Sequence, residues 1–322
     1  MNNLNHPTLP SPVQGGGKIS FLVKQRPERN GLMKKYIVMI FAGLVFAGVL
    51  LAAGKPSADA AAAQIRVMSY NIRCLAPEDD FRDLWWLRRS HLAGQIKKHD
   101  PDIIGLQEVY TSQGNYLAGK LKGYAWFGPP RDDGEKKGER NPIFYKKDRF
   151  ELLQQNTFWL SETPEVPGSR SWDSACKRIV TWGKFQDKKT GKIFFHFNTH
   201  FDHKGPVARE NSAKILLERA GAIAGDAPFF VTGDFNTEPD SVPYQTITAQ
   251  LSDSRKISLT TPQGPENTAW TFKVGVPPDH RIDYIFVSKG ITVSDYAALE
   301  ETYGKGRRNS DHIGVLSTLL LP

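Results

Sequence analysis

The sequence predicts an α+β domain in which β-sheets stack against each other and helices lie outside. Three observations lead there. Short apolar runs of strand length recur from residue 64 to the C-terminus, and only two stretches carry a clear helical period. No repeat, linker or break in composition divides the roughly 258 residues after position 64, so one domain is the simplest reading. With 39% hydrophobic and 24% charged residues, the 322-residue chain has enough apolar material for one sizeable core.

The elements follow in order. QIRVMSYNI (64–72) alternates as a half-buried strand does. DLWWLRRSHLAGQIKKH (83–99) reads as a helix with Leu84, Leu87, His91 and Ile96 on one face and Pro101 just beyond its end. DIIGLQEV is a buried strand, and RDDGEKKGER (131–140) a solvated, charged loop. NPIFYKKDRFELLQQNTFWL reads as two strands around a turn. The proline-bearing SETPEVPGSRSWDS that follows is a loop, with Trp159 and Trp172 at a candidate lip. RIVTWGKFQD and KIFFHFNTH form a hairpin turning at Lys188–Gly191. Pro206–Ala224 is a helix, and PFFVTGDF, HRIDYIFVS and HIGVLSTLLL are strands.

The net charge of +8 suggests a polyanion partner until it is located. Residues 1–60 carry seven Lys/Arg against Glu28 and Asp59, which leaves only +3 for residues 61–322. Those first residues read as a leader. Lys34 and Lys35 precede an apolar run, Tyr36 to Ala53, and Ala58-Asp59-Ala60 is an A-x-A cleavage site. The expectation is a cleaved signal peptide over 33–60 and a secreted or cell-surface domain over 61–322, with an uncleaved anchor as the alternative. Residues 1–32 precede a complete signal peptide and read as a start-site extension before Met33. Export is compatible with a Cys74–Cys176 disulfide, and buried free thiols are the alternative.

Polar residues that call for explanation sit at the ends of the apolar strands: Asn71, Glu108, His200, Asp234, Asn236, Asp283, Asp311 and His312. One carboxylate at a strand end is usually a turn former. Their recurrence along the chain is what needs a reason. Carboxylate and amide oxygens suit a hard cation such as Mg²⁺, Mn²⁺ or Ca²⁺. Neither cysteine has a neighbouring ligand at zinc spacing, and G-x-S-x-G, Walker and dinucleotide-binding motifs are missing. Histidines beside carboxylates without an obvious nucleophile point to metal-assisted attack by water. In NTHFDHKG (198–205), alternation puts His200 and Asp202 on one face and His203 on the other. Lys177 and Arg178 precede a strand and could reach a phosphate, although solvated edge charges are the simpler reading.

The segments SYNIR, LQEV, NTHFDH, GDFN, RIDYIF and SDH, in this order from Ile65 to Leu321, resemble the endonuclease/exonuclease/phosphatase superfamily. That superfamily includes pancreatic deoxyribonuclease, exonuclease III-type repair enzymes, neutral sphingomyelinases and inositol 5-phosphatases. NTHFDH and FWLSETP look nearest to an exported bacterial subgroup. The resemblance implies a four-layer α/β-sandwich, two face-to-face mixed sheets flanked by helices. It implies Glu108, Asn71 and Asp311 at the metal and Asp234 orienting or deprotonating water. It implies Asn236 on the scissile phosphate, His312 as the catalytic histidine held by Asp283, and His200 contacting phosphate. Asp202 and His203 fall outside the broad family pattern and, with Arg178, are substrate-binding candidates.

The expected activity is divalent-metal-dependent hydrolysis of phosphate esters, with a phosphodiesterase favoured. A nuclease wants a strongly basic face, and a sphingomyelinase-type enzyme wants an exposed aromatic hairpin or amphipathic helix. A small phosphodiester or a sugar or polyol phosphate therefore fits the modest charge better, with nucleic acid or phospholipid as alternatives. No protein partner is inferred. A non-catalytic binding module on the same fold is the reading from another class.

Overall fold

The computed structural model describes residues 63–322 apart from Trp270 and Lys305. The leader, its cleavage site and the start at Met33 lie outside the described residues. Along the chain run β1 (Ala63–Asn71), α1 (Trp85–His99), β2 (Ile103–Gln107), α2 (Thr111–Lys120), β3 (Tyr124–Phe127), β4 (Ile143–Lys146), β5 (Phe150–Trp159), β6 (Ile179–Asp187) and β7 (Ile193–His200). Then follow α3 (Pro206–Ala224), β8 (Phe229–Asp234), α4 (Val242–Thr248), β9 (Ser252–Asp253), α5 (Ser254–Ile257), β10 (Asp283–Val287), β11 (Thr292–Leu299), β12 (Thr302–Tyr303), β13 (Arg307–Arg308) and β14 (Gly314–Leu321).

Two six-stranded mixed sheets form, in the orders β11-β14-β1-β2-β4-β3 and β5-β6-β7-β8-β10-β9. Alternation along the strands builds the layers. Val67, Ile103, Phe194 and Phe230 point between the sheets, where they meet Phe185, Ile285 and Val315. Their neighbours Met68 and Ile104 point the other way, onto Leu92 and Ile96 of α1. Phe195 and Val231 likewise face Leu216 and Leu217 of α3. A strand covered on both faces is apolar throughout, which is why these runs are continuous rather than half polar. The result is the four-layer sandwich, helix, sheet, sheet, helix. No helix among the described residues is long and apolar enough to cross a membrane.

Two local expectations change. The buried face of α1 is Trp85, Arg88, Leu92 and Ile96, whereas Leu87 and Trp86 are exposed. Arg88 can be buried because its guanidinium donates to the carbonyls of Ile72, Arg73, Asp83 and Asn309. A pattern that counts only apolar side chains cannot see such a residue. Strands β4 and β5 flank a turn as expected, and because they belong to different sheets that turn is a crossover. Helix α2, which the periodicity did not reveal, begins where Gln113 Oε1 accepts from the Tyr110 N–H at 3.0 Å.

Candidate active site

Strand direction explains why residues far apart in sequence meet. Strands β1 and β2 run parallel in one sheet, and β7 and β8 run parallel in the other. The C-terminal ends of these four strands carry Asn71, Gln107-Glu108, His200 and Asp234. Strand β10 is antiparallel to β8 with Asp283 opposite Asp234. Strand β14 is antiparallel to β1, so the residues before it, Asp311 and His312, reach the same edge. Glu108, Asn236 and Arg73 follow strand ends with φ of 61°, 48° and 57°. Left-handed backbone at three non-glycine residues is strained, and such strain persists where the surroundings fix it.

Glu108, His200, Asp234, Asn236, Asp311 and His312 line one cleft of about 440 Å³. His312 Nδ1 lies 2.8 Å from Asp283 Oδ2, and its Nε2 lies 3.7 Å from Asp234 Oδ2. Asn71 Nδ2 donates to Glu108 Oε1 at 3.0 Å and to Asp234 Oδ2 at 2.9 Å. Asn236 donates through its backbone to Asp234 Oδ1 at 3.0 Å and through Nδ2 to His200 Nε2 at 3.0 Å. That last bond puts the His200 ring proton on Nδ1.

The environment divides the two histidines. Burial alone would hold His312 below its ordinary pKa of about 6.5, but Asp283 and Asp234 reverse this and hold it well above, so the ring is charged. Burial pushes His200 well down, and Arg178, Arg131 and His312 push it further, so that ring is neutral. Asp234 is pushed up to about 7 by burial and then Asp283, against His312 and the Asn71 amide. Burial raises Glu108 too, but His312, Asn71 and the Cys74 N–H outweigh it and leave Glu108 below the usual carboxylate range. Asp311 is raised by burial and by Glu108, against the charge of His312. A cation is the ordinary remedy for buried carboxylates that raise one another.

Glu108, His200 and Asp234 offer ligand atoms within 4.8 Å of one another, as do Asp234, Asp283 and His312. The oxygen-rich donors fit a Mg²⁺-class ion. The Asn71 amide nitrogen faces both carboxylates, and its oxygen accepts from the Arg73 N–H. Asp311 is 3.6 Å from the Arg73 guanidinium, and both line the same cleft. A third cluster, Cys176, Asp202 and His203, also has ligand atoms within 4.8 Å. Its carboxylate is already used. Asp202 accepts from Lys204 N, Gly205 N, Cys176 N and Ser174 Oγ, which fills both oxygens. Fully buried and off the cleft wall, Asp202 staples two loops rather than touching substrate, contrary to its expected role. A strand-end aspartate facing four nearby donors is drawn inward by them, which alternation could not indicate.

His203 and Arg178 do line the cleft. Arg178 is buried and not a solvated edge charge; Nη2 lies 3.1 Å from His203 Nδ1, while Nε and Nη1 have no hydrogen-bond partner. Sequence reasoning missed Arg73, Cys74, Arg131, Glu139 and Cys176, which also line the cleft. Arg131 and Glu139 bracket the loop read as solvated. Its tip is exposed, but its ends fold inward as an ion pair. The signal was the opposite charges eight residues apart around Gly134 and Gly138. Both cysteines are free thiols, partly exposed in the cleft.

The profile of the Endonuclease/Exonuclease/phosphatase family matches residues 68–302. The chain belongs to that family. An endonuclease/exonuclease/phosphatase from Bacteroides vulgatus is 38% identical, with a TM-score of 0.76 over 81% of this chain and all of that one. A mannosyl-6-phosphatase from Bacteroides thetaiotaomicron is 36% identical, with a TM-score of 0.77 over 80% of this chain and all of that one. A probable RNA exonuclease from Schizosaccharomyces pombe is 24% identical over 204 residues, 60% of this chain and 40% of its own. Nocturnin from Drosophila melanogaster is 29% identical over 188 residues, 55% of this chain and 27% of its own. The chain thus spans less than half the length of these last two relatives.

Proposed function

We propose that the protein is a divalent-metal-dependent phosphomonoesterase acting on small sugar or polyol phosphates. The observation that carries this is likeness to a mannosyl-6-phosphatase along that protein's whole length. The cleft of about 440 Å³ suits a small ester, and the +3 balance of residues 61–322 offers little to a polynucleotide. The RNA exonuclease relative favours the diesterase that the sequence suggested, but at lower identity and over a smaller share of that protein.

Asp234 orients the attacking water and takes its proton, since a carboxyl raised to about 7 is a competent base near neutral pH. Charged His312, steadied by Asp283, donates to a phosphoryl oxygen and offsets the charge that grows there. Asn236 donates its amide hydrogens to His200 Nε2 and Phe201 O and so holds the neutral His200 ring in the cleft wall, while Arg178 offers the unmatched Nε and Nη1. Glu108 and Asp311 would hold a divalent ion, which supplies Lewis-acid stabilisation of the phosphoryl oxygens when bound. Export before action is part of the same proposal, on the strength of the leader.

The experiment is a substrate panel on the purified protein with Mg²⁺, Mn²⁺ or Ca²⁺, each with and without EDTA. Hexose 6-phosphates should release phosphate faster than bis-p-nitrophenyl phosphate or RNA is cut. Cleavage of diesters alone would refute the reading, and a metal-replete, inert protein would favour a binding module.

A further inference from the structure

We propose that the Arg131–Glu139 pair is a hydroxyl-binding subsite for the leaving group, selecting phosphate esters of uncharged, polyhydroxylated alcohols. The inference rests on the phosphomonoesterase reading above. Arg131 Nη1 and Nη2 meet Glu139 Oε2 and Oε1, each at 2.8 Å, and both side chains line the catalytic cleft. A forked pair leaves each carboxylate oxygen able to accept from a further donor. Such a pair contributes little net stability once its desolvation is counted, so its place in a cleft wall needs another reason.

Charge gives that reason. Arg178 has two unmatched donors and its nearest carboxylate, Asp202, only at 3.5 Å from Nε, so it is available to an anion. Arg131 is neutralised by Glu139, and Arg73 by Asp79 at 2.7 Å. The cleft therefore offers one buried, unmatched guanidinium for a phosphate and, beside it, a neutral donor–acceptor pair. A sugar hydroxyl can donate to Glu139 and accept from Arg131. A polynucleotide brings a second phosphate, which a neutral pair does not reward.

The wall is also built to hold still. Arg131 N–H donates to Glu139 O at 2.9 Å, and Arg140 N–H to Val109 O at 2.8 Å. From behind, Trp159 Nε1 donates to Arg131 O at 2.7 Å and Lys177 Nζ to Asp132 O at 2.9 Å. Gly168, at φ 76°, lets the backing segment approach so closely that a Cβ there would stand 2.4 Å from Asp132 O. A subsite fixed before substrate arrives spends less binding energy on ordering.

The test compares mannose 6-phosphate with phenyl phosphate, which carries the same phosphoryl group on an alcohol without further hydroxyls. Glu139→Gln should lower kcat/KM for mannose 6-phosphate by about 10- to 100-fold, the range for a lost hydrogen bond to a charged group. For phenyl phosphate the change should stay within about threefold, since no such bond exists to lose. Parallel losses on both substrates, or none on either, overturn the subsite. If the wild type cleaves diesters but neither monoester, the phosphomonoesterase reading falls and the subsite with it. If the wild type cleaves both monoesters and the variant treats them alike, only the subsite falls. Should Glu139→Gln not fold, monodeoxy mannose 6-phosphates on the wild type decide. At least one missing hydroxyl should cost about tenfold in kcat/KM, and a flat series overturns the proposal.

Discussion

Asn71 and Asp234 belong to different sheets, yet Asn71 Nδ2 donates to Asp234 Oδ2 at 2.9 Å and to Glu108 Oε1 at 3.0 Å. One amide thus locks the edges of the two sheets together at the candidate catalytic carboxylates. Replacing Asn71 with Ala removes a donor shared by two buried acids, each of which then loses a charge-assisted bond. We expect turnover to fall by about 10- to 100-fold and stability by about 1–3 kcal/mol, read by steady-state kinetics and urea unfolding. Unchanged kinetics would show that the bridge does not position the acids.

The His312–Asp283 pair makes a prediction about pH. His312 works as a cation, so activity should fall as pH rises through its raised pKa. In Asp283→Asn, burial continues to depress His312 while the largest opposing charge is gone. The alkaline limb of the kcat profile should therefore move to lower pH, and turnover at pH 8 should drop by at least about 10²-fold. A limb that stays in place would separate His312 from that limb. His312→Ala and Asp234→Asn should each cost about the same factor, with the circular dichroism spectrum intact.

Metal dependence has a readout apart from turnover. A ligand that binds only the folded protein stabilises it by mass action. Mg²⁺ or Ca²⁺ should raise the melting temperature of the wild type after EDTA treatment. Glu108→Gln, which removes the negative charge and replaces one ligand oxygen with an amide nitrogen, should show little or no shift. Equal shifts in both proteins would exclude Glu108 as a ligand.

Asp202 predicts acid sensitivity. Burial raises its pKa, but the N–H groups of Gly205, Cys176, Lys204 and Ala175 outweigh that and hold it well below the usual range. A depressed folded pKa stabilises above the unfolded value, about 3.9, and the contribution is lost as pH falls toward the folded one. Asp202→Asn should therefore cost about 1–3 kcal/mol at pH 7, and its deficit should shrink as pH drops below about 4. Denaturant titrations at pH 7 and pH 3 check this; a deficit constant with pH would mean the carboxylate charge is not what staples the loops.

Much of the fold was legible because its strands are covered on both faces. Phe229–Asp234 and Gly314–Leu321 are mostly apolar runs, the first ending in Asp234 and the second preceded by Asp311 and His312, a local pattern that needs no third dimension. Helix α3 was legible too, with Pro206 at its start and Gly225 after its end. The face of α1 was not, because Arg88 is buried by carbonyls contributed from Asn309, more than two hundred residues away.

By itself, the sequence determined which residue types stand at the strand ends, and so the family and the oxygen-rich character of the cleft. Tertiary structure alone decided their duties. Whether a histidine is charged depends on what the strand pairing puts beside it, as the carboxylate of Asp283 beside His312 and the guanidinium of Arg178 near the buried His200. Whether a carboxylate faces substrate or backbone depends on donors supplied by other loops, as for Asp202. Charge and hydrogen bonding act through space, over distances that the order of residues does not encode.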